Sequence, residues 1–470
     1  MSGRLVFLSL LAVWQSVVLY AGEVIIEGKQ VSYAGKVIEI NTYLDPFTGK
    51  DTLLAGCKVD SMGAFRLMFH LERPQLVYAR LGAFKGYLHA EPNVKYVVSM
   101  PEWQDMSPAD KLNPFFEPIE FQFIIENDPS PNSLNRRILQ FDTVFFKLLK
   151  KFIPPRSVNR DSLNRTKDTL LALVFDDDPQ FFKDYVTYKI GLLELLAMQY
   201  RVKYLSKQYF ENKPILYNNE AYLDLFNRVY DKYFYYFGQT PQGKLIYTII
   251  NERKSYGALD SLLQNDPVLI NPDLRMLVIL KNVHDEFYAS RFSRSGLLNI
   301  LDSLIKHTQN KLHTRYALSI REKIIRLMPG FEPPAFSLYD NHNRIISLSD
   351  LRGNYVYLNF CSCQSYACLK EFDLLRNLAQ KYGNKNFVIV TVVVDEDSTS
   401  MKPYAETAGM NWIFLHYGRQ PDIVRQYDVR GFPVYYLIGP DGKLLLSPAK
   451  SPGEYFELDL FKIMRARGDL

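Results

Sequence analysis

Two predominantly apolar runs, Tyr355-Val356-Tyr357-Leu358-Asn359-Phe360 and Phe387-Val388-Ile389-Val390-Thr391-Val392-Val393-Val394, constrain this chain more than any other feature. A strand that is apolar at nearly every position has no solvent side, so both runs must lie inside a sheet covered on both faces. Between them Phe372, Leu375 and Leu378 fall on one face of an amphipathic helix. Asp441-Gly442 then marks the turn of a hairpin. Strand, helix, strand and antiparallel hairpin make an α/β layer fold. Met328-Pro329-Gly330 and Pro333-Pro334 form a breaker-rich linker just before it, so a separate domain is expected over 333–470.

At 470 residues the chain is too long for one ordinary core. Short β-rich runs at 24–26, 36–40, 64–69 and 96–100, separated by Pro46, Gly49, Gly63, Gly82, Gly86 and Pro92, predict a small antiparallel sandwich over 23–127. Cys57, alone in this stretch, reads as a small buried apolar residue. The period then turns helical. Leu134, Ile138, Phe141, Phe145 and Leu148-Leu149 recur at three- and four-residue steps, as do Leu192, Leu195-Leu196, Gln199 and Val202-Lys203. Pro154-Pro155, Pro179, Pro214, Pro241, Pro267 and Pro272 lie near the breaks, and seven or eight helices are expected over 128–328. The aromatic run 230–237 is expected to fill helix interfaces, Asp176-Asp177-Asp178 to form a capping loop, and His307 and His313 to be surface or packing residues.

Arg4, the apolar stretches 5–13 and 17–19, and Ala21-Gly22 read as a secretory signal peptide over 1–22, cut near Ala21, with an uncleaved anchor helix as the alternative. No later stretch is long and apolar enough to span a bilayer, so no integral membrane span is expected after signal removal. The mature protein is expected to be exported, to a periplasm or cell envelope. A net charge of +5, without a Lys/Arg run, argues against nucleic acid as a partner.

Of the four cysteines, Cys57, Cys361, Cys363 and Cys368, three fall within eight residues. Such a cluster points to redox or metal chemistry rather than to a disulfide scaffold. No His lies within it, and neither a metal nor a cofactor is expected. Around it stand three phrases: Ser347-Leu348-x-Asp350-x-x-Gly353 with Asn359-Phe360, then Tyr427-x-Val429-x-Gly431-x-Pro433, then Asp441-Gly442-Lys443. By these phrases the last 140 residues or so resemble the TlpA/ResA-like branch of the thioredoxin superfamily, exported thiol-disulfide oxidoreductases related to peroxiredoxins. The fold implied is an α/β thioredoxin-like C-terminal domain, preceded by a small β-sandwich-like domain and an all-α middle domain.

The family motif Trp-x-x-Trp-Cys-x-x-Cys follows Asn-Phe directly. Laid on this chain, it puts Cys361 on the first Trp, Gln364 on the second, Ser365 on the first Cys and Cys368 on the second. The nucleophile position is thus serine, whose hydroxyl cannot replace a thiolate at neutral pH. Ser365 is instead expected to cap the helix carrying Cys368 by accepting a first-turn amide. A displaced redox pair of Cys368 with Cys363 or Cys361 remains open; Cys363 is favoured, because the alternative bridge between Cys361 and Cys363 would be strained. By the resemblance, Glu371 matches an acid that assists proton transfer, though it could merely face solvent. Pro433 matches a cis-proline which, with Phe432, shapes a groove for an incoming polypeptide. A peroxiredoxin would need Pro-x-x-x-Thr/Ser-x-x-Cys, and no proline stands between Leu351 and Leu369. The readings left are thiol-disulfide exchange on a polypeptide thiol or disulfide, a catalytically silent module that binds a partner protein, and a structural role in an envelope assembly.

Overall fold

Buried and exposed residues alternate along Ala64–Leu71, the mark of a strand with one wet face. This strand belongs to the first layer of a computed structural model that describes residues 21–469 except 114, 129, 153–159, 198–201, 290, 384, 408 and 409. The signal segment 1–20, Pro154-Pro155 and Gln199 lie outside the described residues. Nine strands come first: β1 (Gly22–Lys29), β2 (Val37–Tyr43), β3 (Asp51–Lys58), β4 (Ala64–Leu71), β5 (Gln75–Leu81), β6 (Phe84–Ala90), β7 (Lys95–Ser99), β8 (Ile119–Gln122) and β9 (Ile124–Ile125). They form two sheets, β4-β1-β7-β9 and β3-β2-β5-β6-β8. Val24, Ile26, Leu67 and Val98 of one sheet share a core with Ile38, Ile40, Val77 and Leu88 of the other. The pairing is not purely antiparallel, since β1 with β7 and β6 with β8 run parallel. Cys57, half-buried on β3, packs against this core with a free thiol.

Eleven α-helices are described between Leu134 and Ile325, more than the proline breaks predict. The excess consists of pieces of one or two turns, such as Tyr233–Gly238 and Leu245–Thr248. Of the apolar stripe at 192–203, Leu192, Leu195 and Leu196 lie in Gln180–Ala197 and Val202 and Lys203 in Val202–Tyr209. Aromatic rings dominate this core, with Phe141, Phe182, Tyr222, Phe226, Tyr230 and Phe234 all buried, although Tyr236 faces solvent. His313 is fully buried, hydrogen-bonded through Nε2 to the Tyr217 hydroxyl, and burial pushes its pKa down to about 4.

Asp178 does not cap the helix that follows it. Its carboxylate turns inward and accepts Nε (2.6 Å) and Nη2 (2.8 Å) of buried Arg137, together with the Phe175 amide (2.7 Å). Arg137 also donates to the Leu173 carbonyl, and Phe175 and Phe182 lie 4.8 and 5.0 Å from its guanidinium. Sandwich and helices are joined by polar contacts: Asn135 brackets the main chain of His89, His89 pairs with Glu220, and Asp45 accepts the Ser319 hydroxyl.

The C-terminal sheet has β10 (Ser337–Asp340), β11 (Ile345–Ser347), β12 (Tyr355–Cys361), β13 (Phe387–Val393), β14 (Ile413–His416), β15 (Val434–Ile438) and β16 (Leu444–Ala449), in the order β11-β10-β14-β13-β12-β15-β16. β12, buried at every residue, runs parallel to β13 and antiparallel to β15. Helices Tyr366–Tyr382 and Phe456–Arg467 cover one face, meeting Tyr355, Tyr357 and Cys361. Val356, Leu358 and Phe360 point to the other face, against Tyr427 and Val429. The linker is not slack. The Gly330 amide donates to the Leu444 carbonyl (2.7 Å), and the Leu444 amide donates to the Phe331 carbonyl (2.9 Å). Among the described residues no helix is long and apolar enough to cross a membrane.

Candidate functional site

The local geometry follows from where β12 stops. Because side chains alternate along a strand, Cys361 takes the same face as Tyr355 and Tyr357 and lies under the helix Tyr366–Tyr382. The Ser365 amide closes a turn on the Ser362 carbonyl (3.0 Å), and the helix starts at Tyr366 with Ser365 as its N-cap residue. Cys368 sits in the first helical turn. Cys361, Cys363 and Cys368 are 1%, 7% and 0% exposed, and all three thiols are free.

The thiol that hydrogen-bonds to Cys368 is that of Cys361, not Cys363. A hydrogen bond from the Cys361 thiol holds Cys368 below the usual thiol range against the opposing effect of burial, helped by the Ser362 amide (3.4 Å) and the Ser365 hydroxyl. Burial pushes Cys361 far up, and its hydrogen bond to Cys368 pushes the same way, so Cys368 is the first of the two to ionise. A helix N-terminus adds its free amides and positive dipole end at the same place. Ser365 therefore occupies the cap position without the cap bond expected of it: its hydroxyl serves the Cys368 sulfur, and no first-turn amide reaches its side chain.

Cys363, in the same buried cluster, hydrogen-bonds to Asp395 instead. Burial and the negative charge of Asp395 push its thiol up to about 12. Asp395, just beyond β13, accepts the Ser362 hydroxyl (2.6 Å), the Cys363 amide (2.9 Å) and the Ser400 hydroxyl (3.0 Å). Asp395 directly follows the apolar run that ends at Val394. The available signal was its place at the carboxyl end of a parallel strand, where open α/β sheets build their sites.

Glu371 accepts the Tyr435 hydroxyl (2.7 Å) rather than reaching a thiol, and Tyr435 stacks on Tyr357 with ring centroids 5.0 Å apart. The Phe432–Pro433 peptide is cis. Because Val434 pairs with Phe360, Pro433 stands beside the Cys361 end of β12, with Phe432 half-buried next to it. Tyr366, at the helix start, is 81% exposed. Among the described residues no group of three or more His, Cys, Asp or Glu is arranged to hold a metal ion.

Residues 329–446 match the AhpC/TSA family. The chain is 31% identical over 155 residues to the thiol-disulfide oxidoreductase ResA of Bacillus subtilis, covering 33% of this chain and 82% of that protein. It is 30% identical over 132 residues to ResA of Geobacillus thermodenitrificans, covering 28% of this chain and 75% of that protein. Among solved structures, the thioredoxin domain of a thiol-disulfide oxidoreductase from Bacteroides vulgatus is 26% identical, with 29% of this chain and 98% of that chain covered and a TM-score of 0.27.

Proposed function

The chain belongs, through its C-terminal part, to the TlpA/ResA-like thiol-disulfide oxidoreductases of the thioredoxin superfamily, and from that premise we propose that it exchanges disulfides with polypeptides through a displaced pair, Cys361 with Cys368. The observation that carries this is the convergence of the Cys361 thiol, the Ser362 amide and the Ser365 hydroxyl on one sulfur, that of Cys368. The Cys368 thiolate attacks a substrate disulfide, forming a mixed disulfide and releasing one substrate thiol. Cys361 gives up its proton and displaces the second substrate sulfur. The pair ends oxidised and the substrate reduced by the same two electrons. Phe432, Pro433 and exposed Tyr366 line the approach, and Glu371 acts at one remove, by fixing Tyr435.

A second reading, a silent module that binds a partner protein, is favoured by the burial of all three thiols. Disulfide mapping separates the two. After equilibration with glutathione disulfide, acid quenching and alkylation, the exchange reading expects a Cys361–Cys368 bridge with Cys57 alkylated. Four alkylated cysteines under those conditions would leave the binding module standing.

The units 23–127, 128–328 and 333–470 are proposed as the three domains, with export to a periplasm or envelope directed by 1–22. Support for export comes from Arg4, the apolar segment behind it and Ala21. Protein recovered from its native host should begin near Gly22 or Glu23 on N-terminal sequencing. An intact Met1 in a cytosolic fraction would remove the compartment from the proposal.

A further inference from the structure

The exchange pair leaves one thiol over, and the structure shows what holds it. Cys363 gives both its amide (2.9 Å) and its thiol to the Asp395 carboxylate. The same carboxylate takes the hydroxyls of Ser362 and Ser400, so the loop before the helix is tied at two successive residues. Asp395 is itself anchored through its main chain, because His416 Nε2 on β14 donates to the Asp395 carbonyl (2.7 Å). The carboxylate is buried, and its acceptor positions are filled by neutral donors from the cysteine loop and from Ser400. A carboxylate is a stronger acceptor than a neutral group, so these bonds restrain the loop at Ser362 and Cys363.

We propose that Asp395 is a positioning residue that selects the partner of Cys368: by parking Cys363, it leaves Cys361 as the thiol that closes the disulfide. This rests on the exchange reading above. Once Asp395 lets go, Cys363 competes. Its thiolate attacks the Cys368 sulfur of the Cys361–Cys368 disulfide, a Cys363–Cys368 bond forms, and Cys361 leaves as the thiol. No net oxidation or reduction occurs in that step.

The test compares the wild type with Asp395→Ala and Asp395→Asn. Each is brought to equilibrium with glutathione disulfide, quenched in acid, alkylated and mapped by mass spectrometry. The wild type should give Cys361–Cys368. Asp395→Ala should shift the ratio of Cys363–Cys368 to Cys361–Cys368 upward by about tenfold or more, the size expected for losing charge-assisted hydrogen bonds. Asp395→Asn keeps an oxygen for the Cys363 amide and loses the charge, so its ratio should fall between the other two. That graded recovery is not the behaviour of a residue that only fills space. If Asp395→Ala does not fold, the shift in Asp395→Asn alone carries the test. An unchanged ratio in the folded variants overturns the latch and leaves the exchange reading intact, whereas a wild type that already forms Cys363–Cys368 overturns the latch together with the Cys361–Cys368 pairing. No disulfide in any of the proteins overturns both.

Discussion

Ser365→Cys raises the rate at which the protein reduces a small disulfide by roughly two orders of magnitude, because a thiolate then stands where only a hydroxyl stood. The site is prepared for it. Ser365 is the N-cap residue of Tyr366–Tyr382, half-exposed, with its side chain aimed at the Cys368 sulfur. The introduced thiol would receive the unpaired first-turn amides and the positive end of the helix dipole, which lower a thiol pKa. Cys368 lies three residues further on, at the spacing that resolves a mixed disulfide. Since the serine hydroxyl makes no cap bond, its loss should change stability by no more than about 0.5 kcal/mol. Initial rates with dithiothreitol as reductant measure the gain. Equal rates in the two proteins would mean that the groove at Phe432 and Pro433, and not just the nucleophile, is closed to substrate. Combining Ser365→Cys with Cys368→Ala should stall the reaction at the mixed disulfide and make the acceptor polypeptide recoverable.

Arg137→Met destabilises the helical layer by about 3–5 kcal/mol, the cost of leaving a buried carboxylate without its partner. The Asp178 side chain is fully inaccessible, and Arg137 satisfies it with two parallel hydrogen bonds while also closing the Leu173 carbonyl. For a region of this size the loss corresponds to a fall of roughly 10 °C in melting temperature. The double change Arg137→Met with Asp178→Leu should recover most of it, since a packed apolar pair often matches a buried ion pair. Failure of the double variant to recover would place the stabilisation in the rings of Phe175 and Phe182 stacked on the guanidinium.

The parts of the fold legible in the sequence are those where burial left no alternative. β12 and β13 were readable because a strand covered on both faces must be apolar throughout, and the Tyr427 phrase because its ring packs on Phe360 while its hydroxyl closes the Pro334 carbonyl. β5 and β6 were not, because their outward positions carry Tyr78, Arg80, Lys85 and Tyr87, which break the apolar alternation. There Lys85 packs under the rings of Tyr43, Tyr78 and Tyr87 instead of facing water. At the site, the favoured pairing of Cys363 with Cys368 passed over Cys361, the thiol that hydrogen-bonds to Cys368. The two-residue period from Tyr355 through Tyr357 already put Cys361 on the helix side. Asp395 was invisible for a different reason: two of its partners lie 32 and 33 residues away, and only the parallel pairing of β12 with β13 brings them together.

The two hydrogen bonds between 330–331 and Leu444 also bear on an edge of the C-terminal sheet. β16 ends the C-terminal sheet, and an uncovered terminal strand is a template on which another chain can polymerise. Here the start of that strand is taken by the chain's own linker, and at the far side the sheet closes with β11, only three residues long. Proteolytic nicking at 328–333 would therefore do more than separate two parts of the protein: it would uncap the sheet and create a surface prone to aggregate.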